Sequence, residues 1–292
     1  MAPARRVWPA INQVMSAISV TEEREISLRM VPERASLRAL LAVSALLFAV
    51  STVVTVVWCA SMSAMGDMPM PGGWTMSMAW MRMPGQTWPE VAASFLGMWV
   101  VMMVAMMLPS LVPMLLHYRQ TVSGSGEARL GLLTALVGAG YFCVWAVFGM
   151  VVFPLGLALA EVEMQSPALS RVVPIAVGAV VVIAGGLQFT TWKAHHLNCC
   201  RTAPGRGRTL APDAGTAWGH GLRLGLHCSY CCSGLIAILL VIGVMDLRAM
   251  ALVTAAITIE RLAPNGKRVA RVIGVAAVGV GLFLIVRAIG LK

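Results

Sequence analysis

Two short stretches of the sequence concentrate the residue types that bind soft metal ions. The 292 residues include seven cysteines and five histidines, yet eight of these twelve residues fall within 195–200 and 227–232. Both stretches lie where long apolar runs begin or end. Thiolate and imidazole groups suit Cu(I) and Zn(II), so the sequence predicts a transition-metal site, with Cu(I) favoured and Zn(II) next. The candidate ligands are His195, His196, Cys199, Cys200, His227, Cys228, Cys231 and Cys232.

The spacing of these residues fits two helix faces. Residues three and four apart share one face of a helix, as do Cys228 with Cys231 and Cys232. His195 with Cys199, and His196 with Cys200, repeat the spacing of four. Two such faces on neighbouring helix ends would enclose one ion. The alternative is packing, because a free cysteine is also a good small apolar residue in a helix bundle.

A second group of soft donors lies near 60–90, where eight methionines occur between Met62 and Met83. Thioether sulfur needs no deprotonation, so it binds Cu(I) even in an oxidising compartment. An equally weighted alternative is a hydrophobic loop that lies on the membrane surface. The candidate secondary ligands of this segment are Met68, Met70, Met76, Met78, Met81 and Met83.

Further secondary candidates lie on two apolar runs. Met106 and Met107 precede Pro109, which removes a helical hydrogen bond, although a methionine stripe is more often packing. His117 ends the same run and is more simply an interfacial side chain. Glu260 is costly in a membrane unless it is paired or functional. Its ordinary partner would be Arg261 or a loop arginine.

Composition assigns the chain to membrane proteins. It is 59% hydrophobic and 12% charged, with a mean hydropathy of +0.82, and several apolar runs approach the ~20 residues that a helix needs to cross hydrocarbon. Such runs must be helical, which predicts an all-α polytopic transmembrane helix bundle of about seven spans, or six. The expected spans are 37–58, 93–116, 130–158, 172–192, 222–244, 247–262 and 269–289.

Charge distribution predicts the orientation. The net charge of +10 comes from lysines and arginines that flank the spans, so anionic headgroups explain it and nucleic-acid binding is not expected. The positive-inside rule gives a cytoplasmic N-terminal segment over 1–36 and a transmembrane domain over 37–292. The methionine-rich loop is then external. We expect a multi-pass protein of a bacterial inner membrane.

The chain resembles, over roughly residues 95–290, a bacterial family catalogued as a domain of unknown function and described as predicted metal-binding integral membrane proteins. The likeness rests on four motifs in order: 101–110 with Pro113, Gly140-Tyr141 followed by Trp145, Leu187–Cys200, and Gly221 to Cys228 with Cys231-Cys232. Glu260 before Leu262-Ala263-Pro264 also fits. The resemblance implies metal binding in a membrane but no established reaction. The three histidines of the two stretches and the methionine-rich loop depart from the family pattern and favour copper.

The leading functional hypothesis is copper handling, meaning homeostasis, delivery or cofactor assembly. Expected partners are the lipid bilayer and either other membrane subunits or a metallochaperone. Three alternatives stay open: an accessory or redox subunit of a membrane oxidoreductase, a metal transporter, and a structural subunit. No particular reaction is predicted, so whether the protein is an enzyme stays open.

Overall fold

The computed structural model is a bundle of helices, and it describes residues 7–64, 66, 68–70, 74–76, 85–122, 126–201 and 211–290. The helices are α1 (Val7–Ala64), α2 (Trp88–Thr121), α3 (Glu127–Gln165), α4 (Pro167–Ser170), α5 (Val173–Leu187), α6 (Thr191–Arg201), α7 (Ala214–Ile242), α8 (Leu247–Leu262) and α9 (Gly266–Gly290). Two short antiparallel strands, β1 (Met68–Met70) and β2 (Trp74–Met76), follow α1.

The bundle confirms the predicted fold class, and the membrane-crossing helices differ slightly in number from the expectation. Five of the described helices are long and apolar enough to cross a membrane, and six if α5 and α6, which meet at a 65° bend, count as one span. The expected span 247–262 is present as α8. Its sixteen residues extend only about 24 Å, less than the ~30 Å thickness of a hydrocarbon core. The expected boundary at residue 36 lies inside α1, which continues through it.

Contacts between helix ends show which ends of the long helices lie together. At one end of the bundle, Arg119 in α2 donates a hydrogen bond to Ser36 in α1. Arg129 in α3 donates to the carbonyl of Pro212 at the same end, at 2.6 Å. At the other end, the Cys59 sulfur of α1 lies 3.8 Å from that of Met245, between α7 and α8. The two basic side chains therefore lie at the end where α1 enters the bundle.

Helix α7, which carries one of the two metal-ligand stretches, begins at a strong cap. The Asp213 carboxylate accepts hydrogen bonds from the backbone amide of Thr216 at 2.8 Å and from its hydroxyl at 2.6 Å. Such a cap satisfies backbone donors that the first helical turn leaves free. The same hydrogen bonds lower the pKa of Asp213 below its ordinary value.

Glycines allow α7 to lie directly against α3. A Cβ atom at Gly221 would stand 2.3 Å from the Val137 carbonyl oxygen, and one at Gly225 would stand 2.9 Å from that of Tyr141. Both positions face backbone, which cannot move aside as a flexible side chain would. Small residues four apart allow this close approach of helices in membranes. The contact fixes the height of α7 against α3, and hence of the cysteines one turn beyond Gly225.

The methionine-rich segment is described only in part. Met68 pairs with Met76, and Met70 pairs with Trp74, in the two-stranded hairpin. The Met70 side chain is buried. The candidate residues Met78, Met81 and Met83 lie outside the described residues, so the proposed external metal site stays a prediction.

Replacing Gly221 with alanine tests the α3–α7 contact. The added methyl group would force two backbones apart, and we expect a loss of about 1–3 kcal/mol in unfolding free energy. Gly219→Ala is the matched control, because a Cβ there meets nothing within 4 Å. Thermal unfolding of both variants in detergent measures the difference. Equal melting temperatures would show that the two helices are not held this closely.

Candidate metal centre

Four buried cysteines from two helices meet inside the bundle, and we call them the thiol cluster: Cys200 of α6 and Cys228, Cys231 and Cys232 of α7. Each side chain is at most 2% exposed. The thiol of Cys231 is within hydrogen-bonding reach of those of Cys200 and Cys232, and Cys232 is within reach of Cys228. The Cys200–Cys231 contact joins the two helices. It therefore brings together the two stretches that the sequence singled out.

A buried arginine points its charge at this cluster. One terminal nitrogen of Arg261, on α8, lies 3.6 Å from the sulfur of Cys200 and 3.6 Å from that of Cys232. The other donates to the Ser110 hydroxyl of α2 at 3.1 Å. Ser110 in turn donates to the Met107 carbonyl at 2.9 Å, in the turn that precedes Pro109. The guanidinium on α8 thus contacts side chains of three other helices.

Glu260 is buried and paired, but with a different residue from the one expected. Its carboxylate lies 2.7 Å from the amine of Lys193 on α6, whereas Arg261 and the loop arginines were the expected partners. Neighbouring residues on a helix face different directions, so Glu260 faces α6 while Arg261 faces the thiols. Lys193 also donates to the Cys231 carbonyl at 2.6 Å. The ion pair therefore lies against the same turn of α7 as the cluster.

These three residues leave an excess of positive charge in the interior. Lys193 and Arg261 are cations and Glu260 is one carboxylate, which gives a net formal charge of +1 while the thiols are protonated. Among the described residues, Arg261 has no acidic partner within ion-pair distance. A charge buried without a partner costs several kcal/mol. The site thus favours something anionic beside the guanidinium.

Tyr141 and Met107 enclose the far side of the cluster. The Tyr141 hydroxyl of α3 and the Cys228 thiol are 2.8 Å apart. The Met107 sulfur of α2 lies 4.0 Å from the Cys228 sulfur. Met107, one of the candidate secondary ligands, therefore lies next to the thiol cluster. Met106 is packed in the apolar core.

The histidines form a second, more exposed group instead of joining the thiols. The Nδ1 atoms of His196 on α6 and His227 on α7 are 3.2 Å apart. His195 Nε2 lies 3.7 Å from the Cys199 sulfur, on the outer face of α6. The expected single pocket of eight ligands is thus divided into buried thiols and a surface group. The physical reason is the helical twist, which turns adjacent Cys199 and Cys200 to different faces.

Other candidates lie apart, and no larger ligand group has formed. His117 is exposed near the end of α2, ten residues or about 15 Å along the helix from Met107. Within the described ranges, no group of three or more histidine, cysteine, aspartate or glutamate side chains is arranged to hold a metal ion. The four thiols instead contact one another in a chain, in the order Cys200, Cys231, Cys232 and Cys228.

The sequence analysis missed four residues of this centre: Ser110, Tyr141, Lys193 and Arg261. Ser110 and Tyr141 occur in the motifs that carry the family resemblance, and Lys193 lies inside the stretch Leu187–Cys200. Their types gave no sign of metal chemistry. The available signal was the position of basic side chains immediately beside apolar runs, where a buried charge needs an explanation.

Comparison with known protein families matches residues 96–284 to the model of the PpoB2 family, described as a copper chaperone. The match spans more than half of the chain, so the protein belongs to this family. Searches of curated proteins and of solved structures gave no match. The matched region begins in α2 and ends in α9, so it contains the thiol cluster, Arg261 and the histidine group, while the methionine-rich segment lies before it.

Proposed function

Since the chain belongs to a family of copper chaperones, we propose that it holds one Cu(I) ion on the thiolates of Cys200 and Cys231. The observation that carries the proposal is Arg261, a buried guanidinium that faces the sulfurs of Cys200 and Cys232, the neighbour of Cys231, and no carboxylate among the described residues. A cuprous ion with two thiolates has a charge of −1. It would cancel the net charge of +1 on Lys193, Glu260 and Arg261.

The same reasoning favours Cu(I) over Zn(II). Structural zinc takes four ligands in a tetrahedron, whereas a cuprous ion is satisfied by two soft sulfurs. With two thiolates a zinc complex is neutral and leaves the excess charge in place. Zinc reaches a charge of −1 only with three thiolates. Within the thiol cluster, Cys200 and Cys231 are the pair that joins α6 to α7, which supports an ion held by two thiolates between these helices.

The orientation of the bundle supports a cytoplasmic supply of copper. Arg119 and Arg129 lie at the end of the bundle where α1 enters it, and the positive-inside rule assigns that end to the cytoplasm. That compartment keeps thiols reduced. We therefore propose a multi-pass protein with a cytoplasmic N-terminus, in a bacterial inner membrane, whose cysteines serve as ligands. The methionine segment near β1 and β2 would serve on the opposite side.

Substituting Cys200 and Cys231 together with serine tests the ligands. We expect about one copper ion per chain in the wild-type protein purified from membranes, because a set of this size holds one ion. The C200S/C231S variant should lose that copper. The control is C59S/C143S, which removes two cysteines outside the cluster. Elemental analysis measures the content, and copper retained at the wild-type level in C200S/C231S would contradict the proposal.

Replacing Arg261 with methionine separates the role of its charge from general stability. The buried cation is uncompensated without metal, so an apolar side chain of similar length should leave the melting temperature of the metal-free protein unchanged or raise it. Copper affinity should instead fall by about 10–100-fold, as when other partners of metal ligands are removed. Competition with a cuprous chelator measures this affinity. The R261K variant keeps the positive charge, so it should retain more of the copper affinity than R261M does.

Unchanged copper affinity in R261M would contradict the charge argument. A large loss of stability in the metal-free R261M protein would also contradict it, because the guanidinium would then be a structural group.

A further inference from the structure

The histidine pair and the thiol pair lie one above the other along the contact between α6 and α7. His196 precedes Cys200 by four residues on α6, and His227 precedes Cys231 by four residues on α7. Across the contact, the two Nδ1 atoms are 3.2 Å apart, and the two thiols are within hydrogen-bonding reach of each other. Four residues rise about 6 Å along a helix. Two pairs of soft donors therefore stand one helical turn apart.

The two pairs differ in how far they are open to the surroundings. Cys200 and Cys231 are at most 2% exposed, so the ligands of an incoming copper donor cannot touch them directly. His196 and His227 are half-buried and lie on the surface of the bundle. An ion bound to another protein or to a small thiol can reach the imidazoles first. The buried thiols therefore need a surface group through which copper enters.

The imidazole pair has the geometry for this task. Metal–imidazole bonds are about 2.0–2.1 Å long, so two nitrogens 3.2 Å apart can both reach an ion between them. Two protein ligands leave other positions open, which a donor's own ligand can occupy during exchange. Thiolates bind Cu(I) more strongly than imidazoles do. Transfer from the histidines to the cysteines is then downhill, and the two thiol protons that it releases pass to the two vacated imidazoles.

Aromatic side chains frame the pair on the outside. The ring centroid of His196 lies 4.9 Å from that of Trp192 and 5.2 Å from that of Tyr230. Trp192 and Tyr230 are both exposed, and such rings gather at the boundary between membrane and water. These rings support a position of the histidine pair near the membrane boundary, which is where a water-soluble donor of copper would approach.

We infer that His196 and His227 form a separate entry site, which accepts copper at the surface and passes it one helical turn inward to Cys200 and Cys231. The inference rests on the proposed function for its second step only. The donor that it calls for is a soluble carrier of Cu(I) with exchangeable sulfur or nitrogen ligands. His195 and Cys199, on the outer face of α6, are not part of this pair.

The first test compares loading rates of the full-length protein in detergent. The probe is cuprous ion bound to a coloured chelator, mixed rapidly with the wild type, with H196Q/H227Q or with the control H195Q. Because both surface ligands are missing, we expect loading of H196Q/H227Q to slow by at least about tenfold, the smallest loss that follows when a group supporting a metal site is removed. Its final copper content should equal that of the wild type. H195Q should load at the wild-type rate.

Two results of this experiment would overturn the inference. One is an unchanged loading rate in H196Q/H227Q. The other is a loss of final copper content to the level of C200S/C231S, because the histidines would then be ligands of the same buried ion. Helix content measured by circular dichroism shows whether the variant keeps the wild-type fold.

A second test examines the entry site without the thiols. The C200S/C228S/C231S/C232S variant, which lacks the whole thiol cluster, should bind cuprous ion more weakly than the wild type, and further substitution of His196 and His227 with glutamine should abolish that binding. Weak binding that survives the histidine substitutions, or no binding before them, would overturn the inference. Failure of the proposed function would give a different result, namely a copper content that stays at the wild-type level when the thiols are substituted. The thiol-free comparison decides on the histidine pair even then.

Discussion

One guanidinium buried inside the helix bundle determines which charges its neighbouring groups must carry. Arg261 is buried, it donates toward two sulfurs and one hydroxyl, and the neighbouring carboxylate already belongs to Lys193. An interior of low polarity does not tolerate such a charge without a compensating anion. The thiols are the groups within reach that can become negative, and a bound cuprous ion would hold them so. In this view charge balance, more than the number of ligands, determines which metal the site accepts.

The fold supplies this arrangement through close packing of helices. Gly221 and Gly225 let α7 lie against the backbone of α3, which sets Cys228 beside the hydroxyl of Tyr141. The bend between α5 and α6 turns a short helix inward so that Cys200 meets Cys231. The short helix α8 ends at this level, and its last turn brings Glu260 and Arg261 to α6 and to the thiols. The centre thus takes side chains from α2, α3, α6, α7 and α8, and none of these five helices provides more than part of it.

Sequence reasoning predicted the helices well because lipid imposes a simple rule on apolar runs. It located the cysteine and histidine stretches because ligand types and a spacing of four residues are visible in one dimension. It did not predict that Cys200 is buried while Cys199 faces the outer side of α6, because the direction of each side chain depends on how α6 packs. It also assigned Glu260 to the wrong partner. Lys193 precedes Glu260 by 67 residues, and only the fold brings the two together.

The sequence analysis missed these residues for one physical reason. Ser110, Tyr141 and Arg261 act on the thiols through hydrogen bonds and charge, and such second partners carry no ligand signature of their own. The methionine-rich segment illustrates the opposite case. Its residue types fit a copper site and a hydrophobic surface loop equally well. The part that the structure describes is a small hairpin with Met70 buried, and its chemistry stays a prediction.

The most direct test of the central claim is X-ray absorption at the copper edge on the wild-type protein loaded with one equivalent of cuprous ion. Ligation by the thiolates of Cys200, beside Arg261, and Cys231 predicts a first shell of two sulfurs, without nitrogen, and an edge typical of two-coordinate Cu(I). A shell that contains imidazole nitrogen, or three to four sulfurs, would contradict the account, because the bound complex would then not carry the single negative charge that the buried arginine requires.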